Sequence, residues 1–260
     1  MQKYLSTFVL SLKNAKIYKL DFYLSFISIP IELIITFLFW KILSIGNYQS
    51  IDSGAIVAYF LFLQVLQLGY SPTMLVTFEL WNEINNGTII TWLVRPVNYP
   101  IYILVQKMAH FFMNTVVALI ISILIGAAFG YVISPVHLLY GMIASIFGNL
   151  LLFELQFLIG CLTFWLKKVI ALRDVIFNIL FILGGTLLPI DMTPKIIQDI
   201  AYFTPIPFVY FTPAKIYAGQ FSLEQTVRNI AGQLLWILIL GVVINFVWKI
   251  GTSDKITQGA

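Results

Sequence analysis

Long apolar runs separated by short polar connections dominate the chain. Each run is long enough to cross a hydrocarbon core of about 30 Å, which takes roughly 20 helical residues. Lipid offers no hydrogen bonds to a bare backbone, so a spanning segment must be a helix or part of a closed barrel. Barrel strands would alternate apolar and polar residues, whereas these runs are apolar on all sides. The pattern predicts six spans, near Leu24–Leu43, Gly54–Phe78, Ile101–Phe129, Leu138–Trp165, Ile170–Leu188 and Ile230–Trp248.

The composition places the whole chain in a membrane. Hydrophobic residues make up 60% of its 260 positions and charged residues only 10%, with a mean hydropathy of +0.94. A soluble domain is about 45–50% apolar and about 25% charged. Too few charges remain here to cover a surface that faces water. We therefore expect one all-α transmembrane domain over residues 1–260.

The first residues predict a helix that lies along the membrane. Leu5, Phe8, Val9 and Leu12 fall on one helical face, with lysines scattered between them. Residues 1–22 are therefore predicted to form an amphipathic interfacial helix. An ordinary cytoplasmic extension of the first span is the alternative.

Lysine and arginine set the expected orientation, because cytoplasmic connections carry an excess of both. The net charge of +4 is spread over the ends of the apolar runs, which indicates topology and not a nucleic-acid surface. Both termini are predicted to be cytoplasmic. The basic residues divide eleven to four, with Lys3, Lys13, Lys16, Lys19, Arg95, Lys107, Lys167, Lys168, Arg173, Lys249 and Lys255 inside and Lys41, Lys195, Lys215 and Arg228 outside.

Two connections have unusual sequences. Residues 79–100, on the cytoplasmic side, are too polar for lipid, yet they contain tryptophans that suit an interface. Residues 189–220, on the outer side, hold five of the ten prolines between short apolar pieces. Proline breaks helices, so we expect short re-entrant helices in this outer region. A plain extracellular loop is the alternative, and it explains the apolar content poorly.

Two carboxylates, Glu32 and Glu154, lie deep in the first and fourth predicted spans. A charge at the bilayer centre costs about 2.5–3.5 kcal/mol on insertion scales, so such groups face the bundle or a water-filled cavity. One interpretation is proton coupling or substrate contact. The other, which we favour, is a carboxylic acid that ties helices together, with Gln156 or Gln64 as the partner.

Motifs for catalysis and nucleotide binding are absent from the sequence. It contains no G-x-x-x-x-G-K-[ST] phosphate loop, no G-x-S-x-G turn and no H-E-x-x-H. Its single cysteine, Cys161, and its two distant histidines give no metal-ligand spacing. We therefore expect no enzyme activity, cofactor or metal in this chain, and any ATP used for transport must be bound by another chain.

Three stretches, in this order, resemble the permeases of the ABC-2 type family of ABC exporters. The first is WNEINNGTIITWLVRPVNYP, which is similar to that family's glutamate-glycine-leucine-arginine-proline segment after the second span. The second is GGTLLPIDMTPKIIQDIAYFTPIPFVYFTPAKIYAGQ, before the last span, and the third is the basic tail VWKIGTSDKITQGA. The matching positions in the first stretch are Glu83, Gly87, Leu93, Arg95 and Pro96.

The resemblance implies the membrane subunit of an exporter in a prokaryotic cell (inner) membrane. It implies two copies of a separate ATPase, which would hold ATP and magnesium, and a second permease chain, identical or related. Residues 79–100 would contain the coupling helix that rests on the ATPase. Glu83 and Arg95 would make polar contacts there, with Trp81 as an apolar anchor.

Two other classes of protein remain as alternatives. A secondary transporter would use Glu32 and Glu154 for proton coupling, but the halves of the sequence show no convincing inverted repeat. An intramembrane enzyme would need a nucleophile or metal ligands grouped at membrane depth. The scarcity of deep charges favours a hydrophobic or amphiphilic cargo, such as a lipid, a peptide or a natural product.

Overall fold

A computed structural model describes residues 2–14, 31, 34–35, 38–39, 53–128 and 134–257. The described residues are mostly helical and contain no strand, so the predicted all-α class is confirmed. The α-helices whose bounds are described are α1 (Gln2–Asn14), α2 (Ser53–Tyr70), α3 (Val76–Asn85), α4 (Ile89–Leu93), α5 (Tyr99–Ala128), α6 (Pro135–Cys161), α7 (Val169–Leu183), α8 (Lys195–Tyr202), α9 (Phe211–Tyr217) and α10 (Leu223–Thr257).

Helix α6 lies at the centre of the bundle. It packs against α3, α9 and α10, while α2 packs against α5. One face of α6 carries Gly141, Ala144, Ser145 and Gly148, all buried. A Cβ added to Gly148 would lie 2.7 Å from the backbone oxygen of Val209. This small-residue face therefore lets the chain before α9 approach the backbone of α6 directly.

Within the described residues, three helical segments are long and apolar enough to cross a membrane, namely Tyr99–Ala128, Pro135–Phe164 and Leu223–Ser253. They contain most of the predicted third, fourth and sixth spans. A fourth is present if α2 and the following helical segment Thr73–Asn85, which contains α3, are counted as one span bent by 50°. The predicted first span lies mostly outside the described residues, as does residue 32.

The predicted second span, Gly54–Phe78, is broken after Tyr70 and bent by 50° there. Helix α2 stops at Tyr70, and Pro72 follows in the break. Polar side chains from neighbouring helices bind the chain around the break. Asn114 donates to the Leu68 carbonyl at 3.3 Å, and Arg173 donates to the Met74 carbonyl at 3.0 Å. In the same stretch, the Thr73 hydroxyl donates to Asn149 at 2.9 Å, and the Thr77 hydroxyl oxygen lies 2.7 Å from the Gln156 carbonyl oxygen.

The predicted fifth span, Ile170–Leu188, is shorter in the structure. Helix α7 has 15 residues, or about 22 Å at 1.5 Å per residue. It ends where Gly185 takes a φ of +78°, a conformation that suits glycine. The Tyr59 hydroxyl donates to the Gly185 carbonyl at 2.6 Å, which fixes this turn against α2.

Short helices separated by prolines fill residues 189–220, as the sequence predicts. Helix α9 is entirely buried. Within it, Lys215 is 6% exposed and its Nζ lies 2.5 Å from Asp191 Oδ2. Lys215 also donates to Gln220, whose amide donates to the Ala55 carbonyl at 2.8 Å. This chain of contacts ties the region to the start of α2.

Helix α1 occupies part of the predicted 1–22 segment, and residues 15–22 lie outside the described part. It packs along α5, where the Phe8 and Phe112 rings meet edge to face at 6.4 Å. Leu5 and Val9, from the predicted apolar face, are exposed. They are available to lipid, because the protein contacts use the adjoining face of the helix.

Candidate coupling segment

The two short helices α3 and α4 form a helical hairpin before the long helix α5. Ile84 and Ile89 are buried on its inner side. Between them, Gly87 takes a φ of +72°, with no neighbouring atom within 4 Å of the position of a Cβ. Glycine is therefore needed here for backbone conformation and not for close packing. The turn itself faces away from the bundle.

The start of helix α5 is fixed by a capping residue and a proline. The Asn98 side chain accepts a hydrogen bond from the backbone N–H of Ile101 at 3.2 Å, as an N-terminal cap does. Pro100 lies at the second helical position, where the missing N–H costs nothing. The Asn98 N–H donates to the Tyr4 hydroxyl at 3.1 Å. Helix α1 therefore contacts the exit of the hairpin.

Glu83 points toward the protein. Its carboxylate accepts a hydrogen bond from the Tyr99 hydroxyl at 2.7 Å, and its side chain is partly buried. Tyr99 is 3% exposed and stacks on Trp248 of α10, with ring centres 5.3 Å apart and an interplanar angle of 5°. Glu83 therefore joins α3 to α5, and through the stack to α10.

Arg95 and Pro96 are exposed at the end of the hairpin. The Arg95 guanidinium lies 4.5 Å from the centre of the Trp92 ring, and Trp92 in turn packs on Tyr102 at 4.6 Å. Stacking on an aromatic face holds a guanidinium in place while its donors stay free to bind. Of the two charged candidates, Arg95 is the one directed outward.

Trp81 is partly buried within the chain. Its indole N–H lies 3.5 Å from the backbone oxygen of Lys167, in the connection between α6 and α7. Its ring also packs against Phe78 at 5.7 Å. Trp81 therefore joins the hairpin to the neighbouring connection.

Sequence reasoning missed an ion pair beside these candidates. Lys107 Nζ lies 2.6 Å from Glu79 Oε1, and Lys107 is 5% exposed. From sequence, Lys107 is only one of the basic residues that set the orientation. Its position inside the predicted third span was the available signal, because a charge there needs a partner.

A family model, ABC-2 family transporter protein, matches residues 26–257. The chain belongs to the ABC-2 transporter family. Its membrane location and transport role follow, and the permeases of this family are transport components and not enzymes. The resemblance drawn from the three stretches is thereby confirmed. The chain matches no curated protein at a significant level.

The two partners suggested from sequence for a deep carboxylate are Gln156 and Gln64. Glu154 Oε2 of the permease is buried and makes no hydrogen bond to either of them, or to any other residue in the described part of the chain. Gln156 instead accepts from Thr77, at 2.5 Å to its side-chain oxygen. Glu154 Oε1 lies toward α10, 3.4 Å from where a Cβ on Gly241 would be. Glu32 lies outside the described residues.

A mostly apolar cavity of about 230 Å³ lies beside the break that follows α2. Helices α2 and α7 and the chain before α9 contribute its walls, which consist of Gln67, Met74, Phe177, Leu180, Phe181, Thr186 and Tyr210. Across the described ranges, no group of three histidine, cysteine or acidic side chains is placed to bind a metal ion.

Proposed function

We propose that this permease is the membrane subunit of an ATP-driven exporter, and that a separate ATPase docks on the hairpin formed by α3 and α4. The observation that carries this proposal is the hairpin itself. It leads directly into the long helix α5, and it turns an exposed surface away from the bundle in a chain of a transporter family. The chain has no phosphate loop of its own, so ATP and magnesium would be bound by the partner.

The docking surface would combine an exposed apolar residue with an oriented charge. Val94 is 79% exposed, and Arg95 stands next to it on the Trp92 ring. A protein interface typically combines an apolar contact with charge-assisted hydrogen bonds that fix its register. In this proposal Arg95 contacts the ATPase, while Glu83 and Trp81 fix the hairpin to the rest of the permease through Tyr99 and Lys167.

We further propose that two permease chains and two ATPase chains form the working exporter, in a cell membrane with both permease termini in the cytoplasm. The exposed apolar faces of α7 and α10 support a further apolar neighbour, either lipid or a second permease chain. The apolar cavity beside α7 supports a hydrophobic or amphiphilic cargo.

The test replaces the oriented charge and compares it with a matched arginine elsewhere. Arg95→Ala should lower the amount of ATPase that copurifies with the permease, because it removes a charge held ready for contact. Arg228→Ala, which removes an exposed arginine near the start of α10, is the control and should have no effect. The ATPase is taken from the same organism, and an ATPase gene next to the permease gene would be the first choice.

Equal copurification in Arg95→Ala and in the unaltered permease would refute Arg95 as a docking residue. Copurification of no ATPase with the unaltered permease would refute the proposed function itself. Transport that continues without ATP would instead support the secondary transporter that uses Glu154.

A further inference from the structure

Two side-chain bridges connect α3 to α5 across the coupling hairpin. Near the turn at Gly87, the Tyr99 hydroxyl donates to Glu83 at 2.7 Å. One helical turn farther from Gly87 on α3, Glu79 pairs with Lys107 at 2.6 Å. Both acidic residues are on α3, and both partners are on α5.

These bridges matter because α3 and α5 do not pack closely against each other. Helix α3 packs mainly on α6, where Leu80 sits against Gly160. Apolar side chains of both helices also meet in one buried cluster, which contains Leu80 and Ile84 of α3 and Ile103 of α5. Apolar contacts are non-directional, so the two bridges supply the directional contacts between the helices.

The Glu79–Lys107 pair is the more constraining of the two bridges. Lys107 is buried, with its side chain 7% exposed, whereas the Glu79 side chain is 37% exposed. A buried ammonium without a partner is strongly unfavourable, so Lys107 has to follow Glu79 when α3 moves. Glu79 is exposed at its other edge and has no equivalent constraint.

The chain on the other side of α3 is interrupted. A bend of 50° and the break after Tyr70 separate α3 from α2, so no continuous helix transmits a displacement of α3 in that direction. A push on the hairpin would reach the membrane helices most directly through α5 and through the face of α3 on α6.

We infer that Glu79 and Lys107 are positioning residues that make α3 and α5 move as one body when the hairpin is displaced. The inference rests on the proposed function, because the displacement is the one that a docked ATPase would produce. Neither residue need touch the ATPase or the cargo.

The experiment measures the distance between α3 and α5 with spin labels on exposed positions. Labels at Asn82 and Ile101, in a Cys161→Ser background, report on the two helices. The labelled permease is studied in membrane with its ATPase, with and without ATP and magnesium. The unaltered pair should give one narrow distance distribution that ATP does not change.

Three variants test the ion pair. Lys107→Met should broaden the distribution, and ATP should now shift it, because α3 moves without α5. The charge exchange Glu79→Lys with Lys107→Glu should restore much of the narrow, ATP-independent distribution. Lys195→Met breaks an exposed pair with Asp199, whose side chains are 81% and 62% exposed, and it should change nothing.

A narrow, ATP-independent distribution in Lys107→Met would overturn the inference, and so would a charge exchange that restores nothing. If no ATPase binds the unaltered permease, the proposed function fails. The distribution without nucleotide then still decides whether the ion pair holds the two helices together. Thermal stability measured in parallel separates this local effect from general unfolding of the variant.

Discussion

Replacing Asp191 with asparagine should destabilise the permease more than replacing its partner, Lys215. The two residues form an asymmetric pair, because the Lys215 side chain is 8% exposed and the Asp191 side chain is 47% exposed. Asp191→Asn leaves a buried ammonium with a neutral partner. Lys215→Met removes the buried charge itself and leaves a carboxylate that water can reach.

The size of the effect follows from how much of each group is desolvated. Removing one partner of a buried ion pair costs about 3–5 kcal/mol. Gln220 still accepts from Lys215 in the Asp191→Asn variant, and solvent at Asp191 already screens the pair. We therefore expect a loss of roughly 2 kcal/mol for Asp191→Asn, below that range. Lys215→Met should cost less than about 1 kcal/mol, because the Asp191 carboxylate that it leaves behind is 47% exposed and is therefore not a buried unpaired charge.

The assay is thermal unfolding of the purified permease in one detergent. The quantity measured is the fraction of protein that remains monodisperse after heating to each temperature. Asp191→Asn should lower the midpoint clearly, and Lys215→Met should lower it little. The exposed pair provides the control, since Asp199→Asn should leave the midpoint unchanged. Equal losses for Asp191→Asn and Lys215→Met would show that the pair acts symmetrically and would refute the argument from burial.

Two glycine substitutions give further predictions. Gly148→Ala should cost about 1–3 kcal/mol of stability by overpacking, since its Cβ would meet the Val209 backbone oxygen at 2.7 Å. Gly241→Ala is the control, because its Cβ would make only an ordinary contact at 3.4 Å. Similar thermal midpoints for the two variants would contradict the prediction. Gly87→Ala should leave the bundle intact but strain the hairpin by about 1–2 kcal/mol, because its φ is +72°. Its expected consequence is weaker ATPase copurification at an unchanged thermal midpoint, and unchanged copurification would count against it.

Single cysteines test the orientation of the permease in the membrane. A cysteine at Asn86 should be protected from an impermeant reagent added outside, whereas one at Lys195 should be labelled, in the Cys161→Ser background. The reason is the excess of lysine and arginine on the side assigned to the cytoplasm. Labelling of position 86 but not of position 195 would show that the topology is inverted. Labelling of neither position would contradict the prediction that Lys195 lies on the outer side.

The sequence by itself determined the solvent, the helical class and the family. Lipid cannot satisfy a bare backbone, so runs as apolar as residues 101–129 have to be helical wherever they pack. The prolines of residues 189–220 likewise require short helices, because each removes a backbone donor. These conclusions depend on local composition, which a single sequence contains in full.

Only the tertiary structure decided where the polar groups point. The sequence shows Glu83 and Arg95 in one polar connection, but Glu83 turns inward to Tyr99 while Arg95 stacks outward on Trp92. The partners of Lys107 and Gln156 lie on other helices, at Glu79 and Thr77.

The tertiary structure also decided where the helices end. The end of α2 at Tyr70 and the end of α7 at Leu183 fall within apolar runs that continue past them. Side chains from other helices bind the chain at both ends, as Arg173 does at Met74 and Tyr59 does at Gly185. A hydrogen bond between residues far apart in sequence depends on how the helices pack, and the pattern of apolar residues along one helix does not specify that packing.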